Sequence, residues 1–204
     1  TVALAGHKVY ATMRETNGKN AEKAEALSEL ENITVLDVTL TDDASVANAI
    51  DKIIAKEGTI DVLVNNAGAV MFGVVESATP ADVQRIFDIN FIAPWRVTKL
   101  VLPAMRKQSE GLIINITSGS GRFSFPFSAV YGASKFALEG LSEGLHLELK
   151  PLGVEVAIVQ PGTFPTEMSQ KIQSGSDTSV VDAYEVLTEV QHNFFNAVGQ
   201  ILET

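Results

Sequence analysis

The chain contains no cysteine, which removes disulfides, thiolate metal sites and a cysteine nucleophile from consideration. Histidine is scarce as well: His7 opens a strand-like run, His146 sits in a helical pattern and His192 lies near the end. No two of them stand at ligand spacing, so a metal enzyme is not expected. Long apolar runs are missing. Asn65, Asn66 and Asn115 interrupt the best candidates, and nothing reaches the length of a membrane span. The start shows no basic-then-apolar leader. Positive charge is short too, and a net charge of −10 is the wrong sign for a nucleic-acid surface. These absences make the cytoplasm the default address and argue against nucleic-acid and membrane partners.

What remains is 204 residues with 46% hydrophobic and 20% charged side chains, enough for one domain with a full core and short for two. Strand-like and helix-like segments alternate along it. Strands are predicted at 7–13, 33–38, 60–64, 111–117 and 154–159. Helices are predicted at 21–30, with Ala24, Leu27 and Leu30 on a stripe, and after Thr41-Asp42 up to Gly58. A long helix should run from Thr79-Pro80 through Asn90 to about 106, bent or ended by Pro94 and Pro103. Another covers 128–150 with Leu138, Leu141, Leu145 and Leu149 as its stripe. Residues 169–179 read as a polar, mobile run with a helical pattern beyond 181. The alternation predicts an α/β fold with a parallel sheet between helical layers.

Two residues on the helix at 128–150 carry chemistry. Tyr131 and Lys135 are four positions apart, so their side chains leave one face of the helix. A free tyrosine, with a pKa near ~10, is a poor base at neutral pH. A lysine cation beside it favours the phenolate and brings proton transfer nearer the working range. Ser118 stands thirteen residues upstream, just past the apolar run 112–116. Its hydroxyl could bond the same substrate oxygen. An amphipathic tyrosine with a solvated lysine is the common reading of such spacing; the serine after a buried strand argues against it.

Ser118, Tyr131 and Lys135 in this setting resemble the classical short-chain dehydrogenase/reductase family, and nearly the whole chain shares the resemblance. It implies a single Rossmann-type domain over 1–204, a doubly wound parallel sheet in three layers, and a nicotinamide cofactor. Ser118, Tyr131 and Lys135 would be the catalytic serine, tyrosine and lysine, with Tyr131 and Lys135 also touching the cofactor. Asn65, Asn66, Ala67 and Gly68, otherwise a polar turn, match the family motif that steadies the sheet and borders the adenosine ribose. Asp37 and Val38 match its adenine contacts. Asn90 would be the fourth catalytic member, its backbone region holding a water that links Lys135 to solvent; the plain alternative is a structural hydrogen bond. Pro161, Gly162, Thr163 and Thr166 resemble the segment that cradles the nicotinamide. Arg14 follows a strand where an arginine accommodates the 2′-phosphate of NADP and an acid would hold the 2′-hydroxyl of NAD. NADP is thus expected, NAD being possible.

The resemblance departs at the front. Family members open with a strand and a glycine-rich turn that receives the pyrophosphate, and this sequence has no such cluster. A last strand and tail are lacking as well. The expectation is a chain incomplete at both ends, with the first strand's place in the sheet unfilled. Apolar residues at 70–72 with Phe123, Phe125, Phe127 and Phe164 suggest a hydrophobic ketone or alcohol as substrate, and 169–179 a lid. The resemblance also implies a homodimer or homotetramer paired through the Asn90 and Tyr131 helices. Among rivals, a serine hydrolase would need a Gly-x-Ser-x-Gly elbow and a histidine base, and Ser118 and Ser120 lack the leading glycine. A non-catalytic binding or scaffold protein on the same fold is the stronger alternative.

Overall fold

The structure, a computed structural model, describes residues 2–162, 171–187, 189–194 and 196. Strands and helices alternate as β1 (Val9–Met13), α1 (Ala21–Ser28), β2 (Ile33–Asp37), α2 (Asp43–Glu57), β3 (Val62–Asn65), α3 (Pro80–Phe87), α4 (Ala93–Gln108), β4 (Gly111–Ile116), α5 (Ala129–Leu149) and β5 (Val154–Val159). Local chemistry sets their ends. The Asp42 side chain accepts the Ser45 N–H and starts α2, and Gly58, at φ +83°, stops it. Val46, Ala49, Ile50 and Ile53 are the buried face of that helix. On α1 the expected stripe is reduced to Ala24, and Leu30 lies beyond the helix in solvent.

All strand pairs among the described residues are parallel, and they form two ladders. β1 pairs with β2, and β4 lies between β3 and β5. Helices join the ladders. Val46, Ala49 and Ile50 of α2 share one core with Val97, Val101 and Met105 of α4 and with Ile113 and Val154 of β4 and β5. Arg96 on α4 adds an ion pair to Asp43 and donates to the Leu40 carbonyl at 2.7 Å. On β3, Val62 and Val64 are half exposed.

The long helix predicted across Asn90 is α3 and α4 joined by a π-helical turn, Asp88–Ile92. Pro94 has no N–H to offer the carbonyl of Asn90 four residues before it. The wider turn accommodates that loss. Pro103, by contrast, sits inside α4 without ending it.

Of the run expected to be mobile, residues 171–179 form a strap bonded to the loop after β3. Gln173 donates its N–H to Val70 O at 3.0 Å and accepts from Phe72 at 2.9 Å, while Asp177 donates to Ser77 O at 3.0 Å. A Cβ on Gly175 would lie 2.3 Å from Ser77 O. Only glycine lets the strap lie this close.

Candidate active site

α5 carries Tyr131 and Lys135, both buried. Ser118 follows β4 in extended conformation and starts the short turn Gly119–Gly121, accepting the Ser120 N–H at 3.1 Å. Its hydroxyl also hydrogen-bonds the Tyr131 phenol. The turn is pressed onto α5: a Cβ on Gly121 would come within 3.0 Å of Glu139 Cγ and 3.2 Å of the Lys135 carbonyl. That close approach explains the glycine. The turns after β4 and β5 are themselves tied, since Gly119 N–H donates to Pro161 O at 3.3 Å.

Burial raises the Tyr131 pKa above the usual tyrosine value, and the Ser118 hydrogen bond partly opposes this. The Lys135 ammonium is lowered to about 8 by burial, with the Glu139 charge pulling the other way. Its Nζ donates to Ile116 O at 3.0 Å and stands 6.0 Å from the Tyr131 ring centre.

Asn90 is fully buried and its amide is fully engaged. Nδ2 donates to Ala69 O and Ser134 Oγ at 2.9 Å each, and Oδ1 accepts the Ala69 N–H at 2.8 Å. Ser134 in turn donates to the Tyr131 carbonyl at 2.6 Å. The side chain therefore clamps the loop after β3 to the start of α5, the structural alternative foreseen for it. Asn65 is likewise internal, donating to Asn115 Oδ1 at 2.8 Å and Thr98 Oγ1 at 3.2 Å, while Asn115 reaches Ser142.

The remaining sequence-predicted residues stand at carboxyl ends of strands. Arg14 is exposed after β1. Asp37 at the end of β2 accepts from the N–H of Glu15 and of Thr16, and from the Thr16 hydroxyl at 2.9 Å. The Thr16 bonds hold its carboxyl below the usual range. Val38 is buried, and its N–H donates to Met13 O. Ala67 and Gly68 follow β3, and Pro161 and Gly162 follow β5, in irregular backbone. Thr163, Thr166 and Phe164 lie outside the described residues. Of the expected pocket residues, Val70 and Met71 belong to the core. Phe72 and Phe127 instead meet Phe194, with ring centres 6.3 and 6.2 Å apart.

Sequence reasoning passed over Asp82. Its buried carboxylate closes the capping box of α3 with Thr79 and accepts both the N–H and the hydroxyl of Ser176 in the strap, at 3.0 and 2.8 Å. Thr79 with an acid three residues on was the available signal; the strap, 94 positions away, gave none. These bonds, Ser176 first, hold Asp82 well below the usual carboxylate range. A group depressed in the folded state stabilises above its unfolded pKa, so this contribution should fade as pH falls below about 4. Asp82→Ala should cost about 2 kcal/mol, read from urea unfolding at neutral pH. A loss that persisted undiminished at acidic pH would contradict the charge-based account.

The parallel α/β frame is that of the short-chain dehydrogenases. The family model described as short chain dehydrogenase matches residues 1–177, and the chain belongs to this family. It is 42% identical to the 3-ketodihydrosphingosine reductase of Bacteroides thetaiotaomicron over 79% of this chain and 56% of that protein. With human retinol dehydrogenase 8 it shares 38% identity over 95% of this chain and 65% of that protein. The chain thus spans less than two thirds of either relative. Among solved structures, NADP-bound ElxO superposes with a TM-score of 0.76 at 29% identity, covering 90% of this chain and 82% of that one. No helix among the described residues is long and apolar enough to cross a membrane, and no cluster of metal-ligating side chains occurs among them.

Proposed function

We propose that the protein interconverts a carbonyl and a secondary alcohol on a small hydrophobic substrate, using NADP(H), with NAD(H) as the second choice. The observation that carries this reading is the buried Tyr131 phenol bonded to Ser118, with the Lys135 ammonium one helical turn away. The residues fit a dinucleotide along the carboxyl ends of the strands. The exposed Arg14 would take the 2′-phosphate, Asp37 and Val38 the adenine, and Asn65, Ala67 and Gly68 the adenosine ribose side. Lys135 and Tyr131 would hold the nicotinamide ribose. Pro161 and Gly162, with Thr163 and Thr166, would take the carboxamide. The cofactor, when bound, supplies or accepts the hydride.

Tyr131 gives its proton to the carbonyl oxygen in reduction and removes the alcohol proton in oxidation. Ser118 donates a hydrogen bond to that oxygen. The Lys135 ammonium stabilises the phenolate left behind. Asn90 supports a proton path to solvent through its backbone, since its side chain is committed elsewhere. The aromatic group of Phe72, Phe127 and Phe194 favours an apolar substrate, and the names of the two relatives, a keto-sphingosine reductase and a retinol dehydrogenase, agree with that choice. Pairing of two copies through α4 and α5 is part of the same reading, supported by the exposed Trp95 and Phe136 on these helices.

The test is fluorescence titration with NADPH and NADH on protein of verified intact mass. Tight NADPH binding should weaken roughly tenfold in Arg14→Ala, with NADH little changed. Absence of NADPH binding would overturn the reading.

A further inference from the structure

Glu139 is the one acidic side chain set into the buried face of α5 among the described residues, and it is 3% exposed. It stands one turn beyond Lys135 and two beyond Tyr131. Its Oε1 accepts from the Thr117 hydroxyl, and from Gln160 Nε2 at 2.9 Å. Thr117 is the residue before Ser118 at the end of β4; Gln160 is the residue before Pro161 at the end of β5. Oε2 accepts no hydrogen bond among the described residues and faces Arg122 Nε at 3.3 Å. Arg122 comes from the turn that follows Ser118, and its Nη2 reaches the exposed Glu143 at 2.9 Å.

A buried carboxylate with an oxygen that accepts no hydrogen bond costs free energy that an apolar residue at the same place would not. A purely structural role would be served as well by a neutral amide. The arrangement points to the charge itself. We propose that Glu139 is a positioning residue for the Tyr131–Lys135 pair: it locks the turns after β4 and β5 onto α5 and holds a negative charge beside Lys135 that Arg122 adjusts from the surface.

The charged groups on the elements packed around Lys135 support this assignment. Along α5 there are Glu139 and, one turn further out, Glu143. The turn after β4 brings Arg122 only. On the π-helical turn Asp88 pairs with Arg96, and on α3 Asp82 pairs with Arg85. β5 contributes Glu155, at the end remote from Gln160. Along α5 Glu139 is the acid nearest Lys135, and its charge opposes the lowering caused by burial. Without it Lys135 would be neutral over more of the physiological range, and a neutral amine cannot stabilise a phenolate.

The inference rests on the roles proposed for Tyr131 and Lys135, but its test needs no turnover. Nitrogen-15 NMR of the Lys135 side chain, assigned by loss of its signal in Lys135→Met, follows the ammonium directly against pH in protein without cofactor. Glu139→Gln keeps an acceptor for Thr117 and Gln160, so the turns stay in place while the charge goes; the Lys135 midpoint should drop by about one pH unit. Arg122→Met removes the opposing cation at a half-exposed site and should move the midpoint upward. Opposite shifts establish the proposal. An unmoved midpoint in Glu139→Gln, or shifts of the same sign in both variants, overturns it. Should Glu139→Gln fail to fold, Arg122→Met decides alone: a rise supports the charge relay and no rise refutes it. Failure of the reductase reading would appear instead as normal titration with no cofactor-dependent turnover.

Discussion

Changing Tyr131 to phenylalanine should lower turnover by a factor on the order of 10³ and leave the fold standing. The change removes one hydroxyl, whose partner Ser118 retains its bond from the Ser120 N–H, so stability should fall by only about 1 kcal/mol. NADPH affinity should weaken modestly, since one of the two groups that would hold the nicotinamide ribose is lost and Lys135 remains. The measurement is single-turnover oxidation of NADPH with an apolar ketone, alongside thermal unfolding of both proteins. Activity within tenfold of the parent would remove Tyr131 from the chemistry. pH gives a second reading of the same group. Burial keeps the phenol protonated above the ordinary tyrosine value, so carbonyl reduction should hold through neutral pH. It should weaken above about 8, where Lys135 loses its proton.

Asn90→Ala should be the most destabilising single change at the site, by about 3–5 kcal/mol. Three hydrogen bonds are lost: the N–H and carbonyl of Ala69 lose their partner inside the protein, and the Ser134 hydroxyl keeps only its bond to the Tyr131 carbonyl. For a chain of this size that corresponds to a melting point lowered by roughly 10 °C. The loop after β3 should loosen from α5, so cofactor binding should weaken as well. An Asn90→Ala protein melting within a degree or two of the parent would show that the clamp carries little weight.

The sequence revealed the frame because its signals are local. Alternation of strand and helix, the Asp42 cap and the Gly58 stop are written within a few residues of where they act. The spacing of Tyr131 and Lys135 is of the same kind. What escaped depends on partners far along the chain. Nothing within a few positions of Glu139 marks it, because its partners Thr117 and Gln160 each lie more than twenty positions away. Asp82 waits for Ser176, and a run of serines and glycines read as mobile becomes a strap for that reason. The stripe assigned to α5 was apolar, whereas its most buried positions include Ser134, Lys135, Glu139 and Ser142. Hydrophobic periodicity is blind to a polar core that satisfies itself.

The division into two ladders has a consequence for how the molecule opens. No strand pairing among the described residues crosses from β1-β2 to β3-β4-β5; side-chain packing on α2 and α4, the Arg96 contacts and the bonds of Lys8 and Tyr10 to Glu57 hold the ladders together. Cooperative units often follow such seams. Amide protons of β1 and β2 should then exchange as one group, ahead of those in β4, which is flanked by strands on both sides. Arg14, Asp37 and Val38, which would take the 2′-phosphate and the adenine, sit on the weaker unit, and the catalytic cluster sits on the stronger. Loss of dinucleotide binding by partial opening would therefore leave Ser118, Tyr131 and Lys135 assembled.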